Sequence, residues 1–420
     1  MPSHGQNEST SRNSARIVFV NRFYSPDMSA TAQILTDVAE ALSLKGFDVV
    51  VFASRMSYDG QDTFDKVDTA NGVQIRRIWS SKFGRSTTLG RLLDYLTFHI
   101  SITISLFFYL SRGDLLIAKT DPPMLSIPLS TVANLRSAKL INWLQDIFPE
   151  VALRLGTKEP KGVVSNNLER LRNRSLKRAS MNVAIGQKMA EVVEDLQIST
   201  ERICIIENFV DDQSIIRTDS HSPELRKEWG FRESDFIVGY SGNLGRAHDF
   251  QTILNVAEML KKSEEVKFLF IGGGAQYDQL NSEIDSRGLT NVYFRPYQPR
   301  SKLNESLSLP NLHWASLNPK LEGYIVPSKI YGIAAAGRPL LMIGSPNGEV
   351  GRIFSEVPFG ECVLPGDSSK AADFILKAQS NRDFTSKMGR YARRYIDNYV
   401  SRNHAIAKWE DLVLRTAQIS

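Results

Sequence analysis

Arg16-Ile-Val-Phe-Val-Asn21 and Asp48-Val-Val-Val-Phe52 are short β-branched and aromatic runs bounded by polar residues, the pattern of strands covered on both faces. Between them, residues 37–45 place Val38, Ala39, Ala41 and Leu42 at helical spacing and end on Lys45-Gly46, a cation in the last turn followed by glycine. Strand, helix and strand of this kind predict a parallel βαβ unit. Further strands are predicted at Val73–Ile78, 115–118, 138–144 and 181–185. A second series follows Ile203-Cys-Ile-Ile206: a strand at 236–240, a helix at 249–261, a strand at 267–271 that runs into Gly272-Gly273-Gly274, and strands at 292–294, 313–317 and 339–343. The expected class is therefore α/β, with two doubly wound parallel-sheet domains at 16–207 and 208–395 behind a polar, disordered tail at 1–15. Ligands of such sheets gather at the carboxyl ends of the strands, so a cleft between the domains is the expected site. Residues 382–416 read as amphipathic helix, with Met388, Tyr391, Tyr395, Tyr399 and Trp409 as packing positions.

The composition agrees with a globular chain of this size. Of 420 residues, 42% are hydrophobic and 23% charged, and 51 Lys+Arg against 46 Asp+Glu leave a net charge of +5. That excess is small and lacks a basic run, which argues against nucleic acid and leaves an anionic membrane surface or phosphorylated substrates as partners. Two cysteines, Cys204 and Cys362, build neither a disulfide framework nor a four-ligand zinc site, and a reducing, cytoplasmic location is expected. No apolar leader opens the chain.

Residues 92–110 are nearly long enough to span a bilayer, but they contain Asp94, His99 and several Ser and Thr. A buried crossover helix is the first reading. An interfacial helix flanked by Arg85, Arg91 and Arg112 is the second, and a true span fits worst.

Four loops carry the chemistry. The 21–32 loop follows the first strand and is not Gly-x-Gly-x-x-Gly, a fingerprint absent elsewhere too, which disfavours the usual nicotinamide or flavin binding. Tyr240-Ser-Gly-Asn-Leu-Gly-Arg-Ala-His-Asp249 opens the second domain; Gly242 and its neighbours admit a ligand to the backbone, and Arg246 and His248 add cationic donors suited to a diphosphate. Gly272, Gly273 and Gly274 offer the same access one strand on. The fourth loop is Asn318-Pro-Lys-Leu-Glu-Gly-Tyr-Ile-Val-Pro-Ser-Lys-Ile-Tyr-Gly-Ile-Ala-Ala-Ala-Gly-Arg-Pro339, with Glu322 in a polar turn and Lys329 in the first turn of a helix. The helix dipole disfavours a cation there, so an anion is expected beside it. Plain connecting loops and a solvated carboxylate are the alternatives at each place.

These stretches, together with Thr120-Asp-Pro-Pro123 and Trp143-Leu-Gln-Asp-Ile-Phe-Pro149, resemble the retaining GT-B glycosyltransferases of family 4, above all the bacterial enzymes of colanic-acid, O-antigen and exopolysaccharide assembly. The resemblance covers roughly residues 16–400. It implies two facing Rossmann-like domains, an N-terminal one for the acceptor and a C-terminal one for the nucleotide sugar, with a helix at 396–420 crossing back to the first. It also implies Asp146 and Glu322 as catalytic-site residues. Ser25, Gly242, Asn243, Arg246, His248, Gly272, Gly273, Gly274, Ser328 and Lys329 would then face the donor, and Asp27, Ser29 and Asp121 the acceptor. A UDP-sugar or other nucleotide sugar is the implied donor, a polyprenyl-diphosphate-linked or oligosaccharide chain the acceptor, and neither cofactor nor metal is expected.

Three positions depart from the family pattern. Gly332 stands where a second glutamate usually binds ribose, and Asn243 and His248 replace the usual basic pair. Arg246 and Lys329 can supply that charge. A non-catalytic accessory protein and a sugar-nucleotide epimerase of the same fold are the competing readings.

Overall fold

The computed structural model describes residues 15–27, 29–58, 60, 63–84, 87–156, 162–218 and 220–418. The tail expected at 1–15 falls outside these residues apart from residue 15, and Arg85 falls outside them as well.

Among the described residues, fourteen strands form two sheets. The first sheet holds β1 (Ile17–Val20), β2 (Val49–Ser54), β3 (Val67–Ala70), β4 (Val73–Ile78), β5 (Leu115–Lys119), β6 (Lys139–Trp143), β7 (Met181–Ala184) and β8 (Ile203–Ile205), in the order β3-β4-β2-β1-β5-β6-β7-β8. Central β1 pairs in parallel with β2 and β5, Ile17 opposite both Val49 and Leu115. Every residue of β1 and β2 is buried, as their unbroken apolar runs require. β3 is antiparallel to β4 and largely exposed, a polar edge that the sequence reading missed.

The second sheet holds β9 (Phe236–Ser241), β10 (Val266–Ile271), β11 (Val292–Arg295), β12 (Leu312–Ser316), β13 (Leu340–Ile343) and β14 (Gly360–Val363), in the order β11-β10-β9-β12-β13-β14 with parallel pairing throughout. The sequence reversal beside β9 and β12 is a topological switch point, where α/β sheets bind ligands at the carboxyl strand ends.

Two compact units divide the chain. The first comprises Met1–Trp143, Arg174–Asn182 and Trp409–Ser420; the second comprises Leu144–Asn173 and Val183–Lys408. In the first unit, Val18, Val20, Val50 and Phe52 pack with Phe98, Ile102 and Leu106 of the helix Thr88–Tyr109. In the second, Tyr240, Phe268 and Trp314 share one core, Ile330, Tyr331 and Ile353 another, and Ile237, Leu269 and Ile271 a third with Leu225 and Trp229.

The helix expected at 382–416 is interrupted. Arg382–Tyr395 passes through a π-helical turn, Ile396–Val400, and the chain restarts as Arg402–Gln418 after Ser401, whose hydroxyl accepts from the His404 N–H. Met388, Tyr395 and Trp409 are buried as expected and Tyr391 packs partly against the core, but Tyr399, on the π-helical turn, is exposed, with its ring 6.1 Å from that of Tyr395. Trp409 is fully buried against Trp143, with ring centroids 4.4 Å apart, and Phe19. Trp409→Ala therefore lowers stability by about 3 kcal/mol in a urea melt followed by near-UV circular dichroism; an unchanged midpoint would show that this helix contributes nothing to the first core.

Candidate functional site

The carboxyl ends of β9 and β10 are fastened to each other. Gly242 N–H donates to the Ile271 carbonyl at 2.9 Å, Leu244 N–H to the Gly273 carbonyl at 2.9 Å, and the Gln276 side chain to the Gly245 carbonyl at 2.6 Å. The approach is so close that a Cβ on Gly272, at φ +136°, would lie 2.2 Å from the Gly242 carbonyl oxygen. Gly272→Ala consequently costs at least about 2 kcal/mol of stability, read as a lowered melting temperature; a wild-type melt would contradict this packing. The lacing leaves other donors over. Among the described residues, the N–H groups of Asn243, Gly245, Arg246, Gly273 and Gly274 make no hydrogen bond within the protein. Such a concavity of backbone donors suits an anion.

Lys329, the first residue of the helix Lys329–Ala335, reaches this concavity. A Cβ on Gly242 would stand 2.6 Å from Lys329 Cε, and Nζ lies 4.9 Å from the centre of the Tyr240 ring. Nζ donates to His248 Nε2 at 3.1 Å, while His248 Nδ1 meets the Ser316 carbonyl at 2.6 Å. This pattern assigns the proton to Nδ1 and makes Nε2 the acceptor for Lys329. Burial lowers Lys329 to about 8; burial and the neighbouring Lys329 lower His248 to about 4. A neutral His248 thus orients the lysine, and the positive charge is supplied by Lys329. Arg246 is exposed and, among the described residues, makes neither ion pair nor hydrogen bond. Ser328, next to Lys329 in the sequence, is exposed, and its side chain caps nothing.

Glu322 closes the 3-10 turn Pro319–Leu321. Its Oε2 accepts from the Glu349 N–H at 3.2 Å, and it approaches Gly348 so closely that a Cβ there would lie 2.2 Å from Oε1. Burial raises the Glu322 carboxyl above its ordinary value, and the nearby Glu349 carboxylate adds to the effect. Ile325 forms isolated bridges with both Asp146 and Glu322, and Ile147 N–H donates to the Tyr324 carbonyl at 2.9 Å. The second unit therefore brings Asp146 and Glu322 to either side of one short segment, only four residues ahead of Lys329.

The residues of the first unit hold their own loops. Ser29 caps the helix Ala30–Leu44 by accepting from Ala32 N–H, and buried Asp27 accepts from the N–H groups of Ser29 and Tyr58. Ser25 N–H donates to Thr36 and its carbonyl accepts from Arg77, beside a cis peptide to Pro26. Asp121 also precedes a cis proline, and its carbonyl accepts from Arg22 N–H.

Two features escaped the sequence reading. Buried Glu349 accepts from Lys188 N–H at 2.7 Å, pairs with Arg352 and fixes the turn on which Glu322 leans; its signal was Gly348-Glu349 at a helix start. A cavity of about 470 Å³ opens beside the triplet, lined by Gly273, Tyr277, Phe294, Arg295 and Pro296 among others. Only the adjacent triplet hinted at it. Among the described residues no group of three His, Cys, Asp or Glu could hold a metal ion.

Comparison with known proteins places this geometry. Residues 221–395 match the family described as Glycosyl transferases group 1. A candidate glycosyltransferase of Pseudomonas aeruginosa, WbjE, is 26% identical over 270 residues, 63% of this chain and 66% of that protein. A candidate colanic acid biosynthesis glycosyl transferase of Escherichia coli (strain K12), WcaI, is 22% identical over 387 residues, 89% of this chain and 94% of that protein. The fold is shared with Anabaena Alr3699/HepE, solved in complex with UDP, at a TM-score of 0.71 and 16% identity, covering 95% of this chain and all of that one. The matched segment holds the glycine loops, His248, Glu322 and Lys329 alike, and the chain is a glycosyltransferase with the GT-B fold whose residues 221–395 are similar to the group 1 type.

Proposed function

We propose that this enzyme moves a sugar from a nucleotide-diphosphate donor, a UDP-sugar before others, to a lipid-linked or growing polysaccharide acceptor with retention of anomeric configuration, in the building of cell-surface polysaccharide. The observation that carries the reading is the set of unpaired N–H groups at Asn243, Gly245, Arg246, Gly273 and Gly274 beside the Lys329 ammonium. Departure of a nucleoside diphosphate concentrates negative charge on the β-phosphate, and fixed N–H dipoles with one cation stabilise that charge at the moment it develops. Arg246, free of internal partners, adds a second cation. The 470 Å³ cavity beside the triplet has room for the nucleobase. UDP is preferred because Anabaena Alr3699/HepE, of the same fold, was solved with it.

Glu322 and Asp146 stand at the reacting sugar in this reading. A carboxylate raised by burial accepts strong hydrogen bonds from sugar hydroxyls and positions the anomeric carbon. The acceptor hydroxyl attacks from the face the diphosphate leaves, and the departing phosphate takes its proton; in this reading Lys329 and the N–H groups meet the developing charge in place of a metal. Polysaccharide assembly as the setting follows from the name of WcaI, which assigns it to colanic acid biosynthesis.

The test is nucleoside diphosphate release from a panel of UDP- and GDP-sugars, with EDTA present, with and without a polyprenyl-diphosphate-sugar acceptor. Release that depends on the acceptor and yields an elongated lipid supports the proposal. Release or isomerisation without acceptor would make the chain an epimerase, and inertness toward every donor an accessory protein.

A further inference from the structure

The helix Thr88–Tyr109 is apolar on two opposite faces. Phe98, Ile102 and Leu106 point into the core of the first unit and are fully buried. Half a turn away, Leu92, Leu96, Ile100, Ile104 and Phe108 form an uninterrupted i, i+4 row in which every side chain is more than half exposed, Phe108 at 79%. The row runs about 24 Å along the helix. A soluble surface helix normally turns charged residues outward, and so long a bare apolar strip marks a surface that is covered in use.

Its surroundings identify what covers it. The segment ahead of the helix is tied to its first turns by Ser81 N–H to Thr97 and Phe83 N–H to Asp94, both at 3.0 Å. This brings exposed Trp79, Lys82 and Phe83 alongside. Exposed Arg91 and Arg112 flank the two ends, and Arg136 stands over the Phe107 ring at 5.7 Å next to exposed Leu135. The single acid between residues 79 and 112, Asp94, faces inward, accepts from Ser81, Phe83 and Gly84, and pairs with buried Arg22 at 3.7 Å. An apolar row with aromatic side chains and a wholly cationic rim is complementary to a bilayer of anionic lipid: the row meets the acyl boundary and the cations meet the headgroups.

We propose that the exposed row of Thr88–Tyr109 lies in the interface of an anionic membrane, parallel to its plane, and holds the first unit on the lipid surface. The helix does not span, because its other face is committed to the core through Phe98, Ile102 and Leu106 and to the Asp94–Arg22 pair. The inference rests on this surface alone, and its test uses neither donor nor acceptor, so it stands or falls apart from the transferase reading.

The experiment is co-sedimentation of the full chain with vesicles of phosphatidylcholine alone or with one quarter phosphatidylglycerol. The wild-type chain is expected to pellet with the anionic vesicles and to be released by salt, since each cation near the surface adds about fivefold to binding. A variant with Ile100→Gln, Ile104→Gln and Phe108→Gln, all exposed positions, is expected to lose about 100-fold in partitioning with an unchanged thermal melt. Arg91→Ala with Arg112→Ala weakens binding to anionic vesicles only. The proposal is overturned if the wild-type chain stays in the supernatant, if the row variant pellets as well as wild type, or if sedimentation shows a dimer that the row variant dissolves, which would make the row a contact between copies.

Discussion

Glu322→Ala lowers turnover about 1,000-fold, with the loss in kcat and a donor KM within a few-fold of wild type. The reason lies in the position of the carboxylate. It leans against Gly348 and accepts from the Glu349 N–H, so it is fixed before substrate arrives, and a fixed acceptor costs no reorganisation in the transition state. The fold should survive, because burial and the adjacent Glu349 already raise the Glu322 carboxyl and disfavour its charge. A carboxyl raised on folding contributes stability that is present below its unfolded value and lost as pH climbs through its folded value. Glu322→Gln, which keeps the shape and removes the charge, is accordingly expected to melt higher than wild type at pH 7 and to show no advantage in acid, while turnover still collapses. Near wild-type kcat in either variant would remove Glu322 from the reacting centre.

Lys329→Ala lowers kcat/KM about 300-fold, most of it as weaker donor binding. Within the protein this lysine is desolvated, held at about 8, and hydrogen-bonded to the neutral His248. A lysine depressed on folding contributes stability that is present above its unfolded value and is lost as pH falls through about 8, so charging it there is unfavourable until an anion arrives. Diphosphate binding takes up a proton above that pH. UDP affinity should therefore be level below pH 8 and fall by as much as tenfold per unit above it. Calorimetry in buffers of differing ionisation enthalpy reads both the affinity and the proton. Lys329→Ala flattens the profile; a wild-type chain whose UDP affinity ignores pH between 7.5 and 9.5 would mean that Lys329 does not face the phosphates.

The core strands were legible because they are covered on both faces: an unbroken run such as Asp48-Val-Val-Val-Phe52 has few other structures available. β3 and β14 were not, since Val67-Asp-Thr-Ala70 and Gly360-Glu-Cys-Val363 lie at the sheet edges and mix polar with apolar residues. The first helix starts at Ala30 rather than residue 37, because its opening turn is polar and the signal was the Ser29 cap. At the site, the glycine loops could be read from the chain since their spacing is local. His248 was assigned as a donor ligand, and its place as the lysine's hydrogen-bond acceptor depends on Ser316 and Lys329, 68 and 81 residues away. Glu349 was invisible for the same reason: its partners Gly186, Lys188 and Glu322 meet it only through the fold.

The central claim is that the donor diphosphate sits against the β9 and β10 loops within reach of Lys329. The position of the β-phosphate in a crystal of the wild-type chain grown with a UDP-sugar tests it most directly. The expected result is a phosphate oxygen hydrogen-bonded to Lys329 Nζ and to N–H groups among Asn243, Gly245, Arg246, Gly273 and Gly274. A diphosphate seated elsewhere, out of hydrogen-bond reach of both Lys329 and these loops, would contradict it.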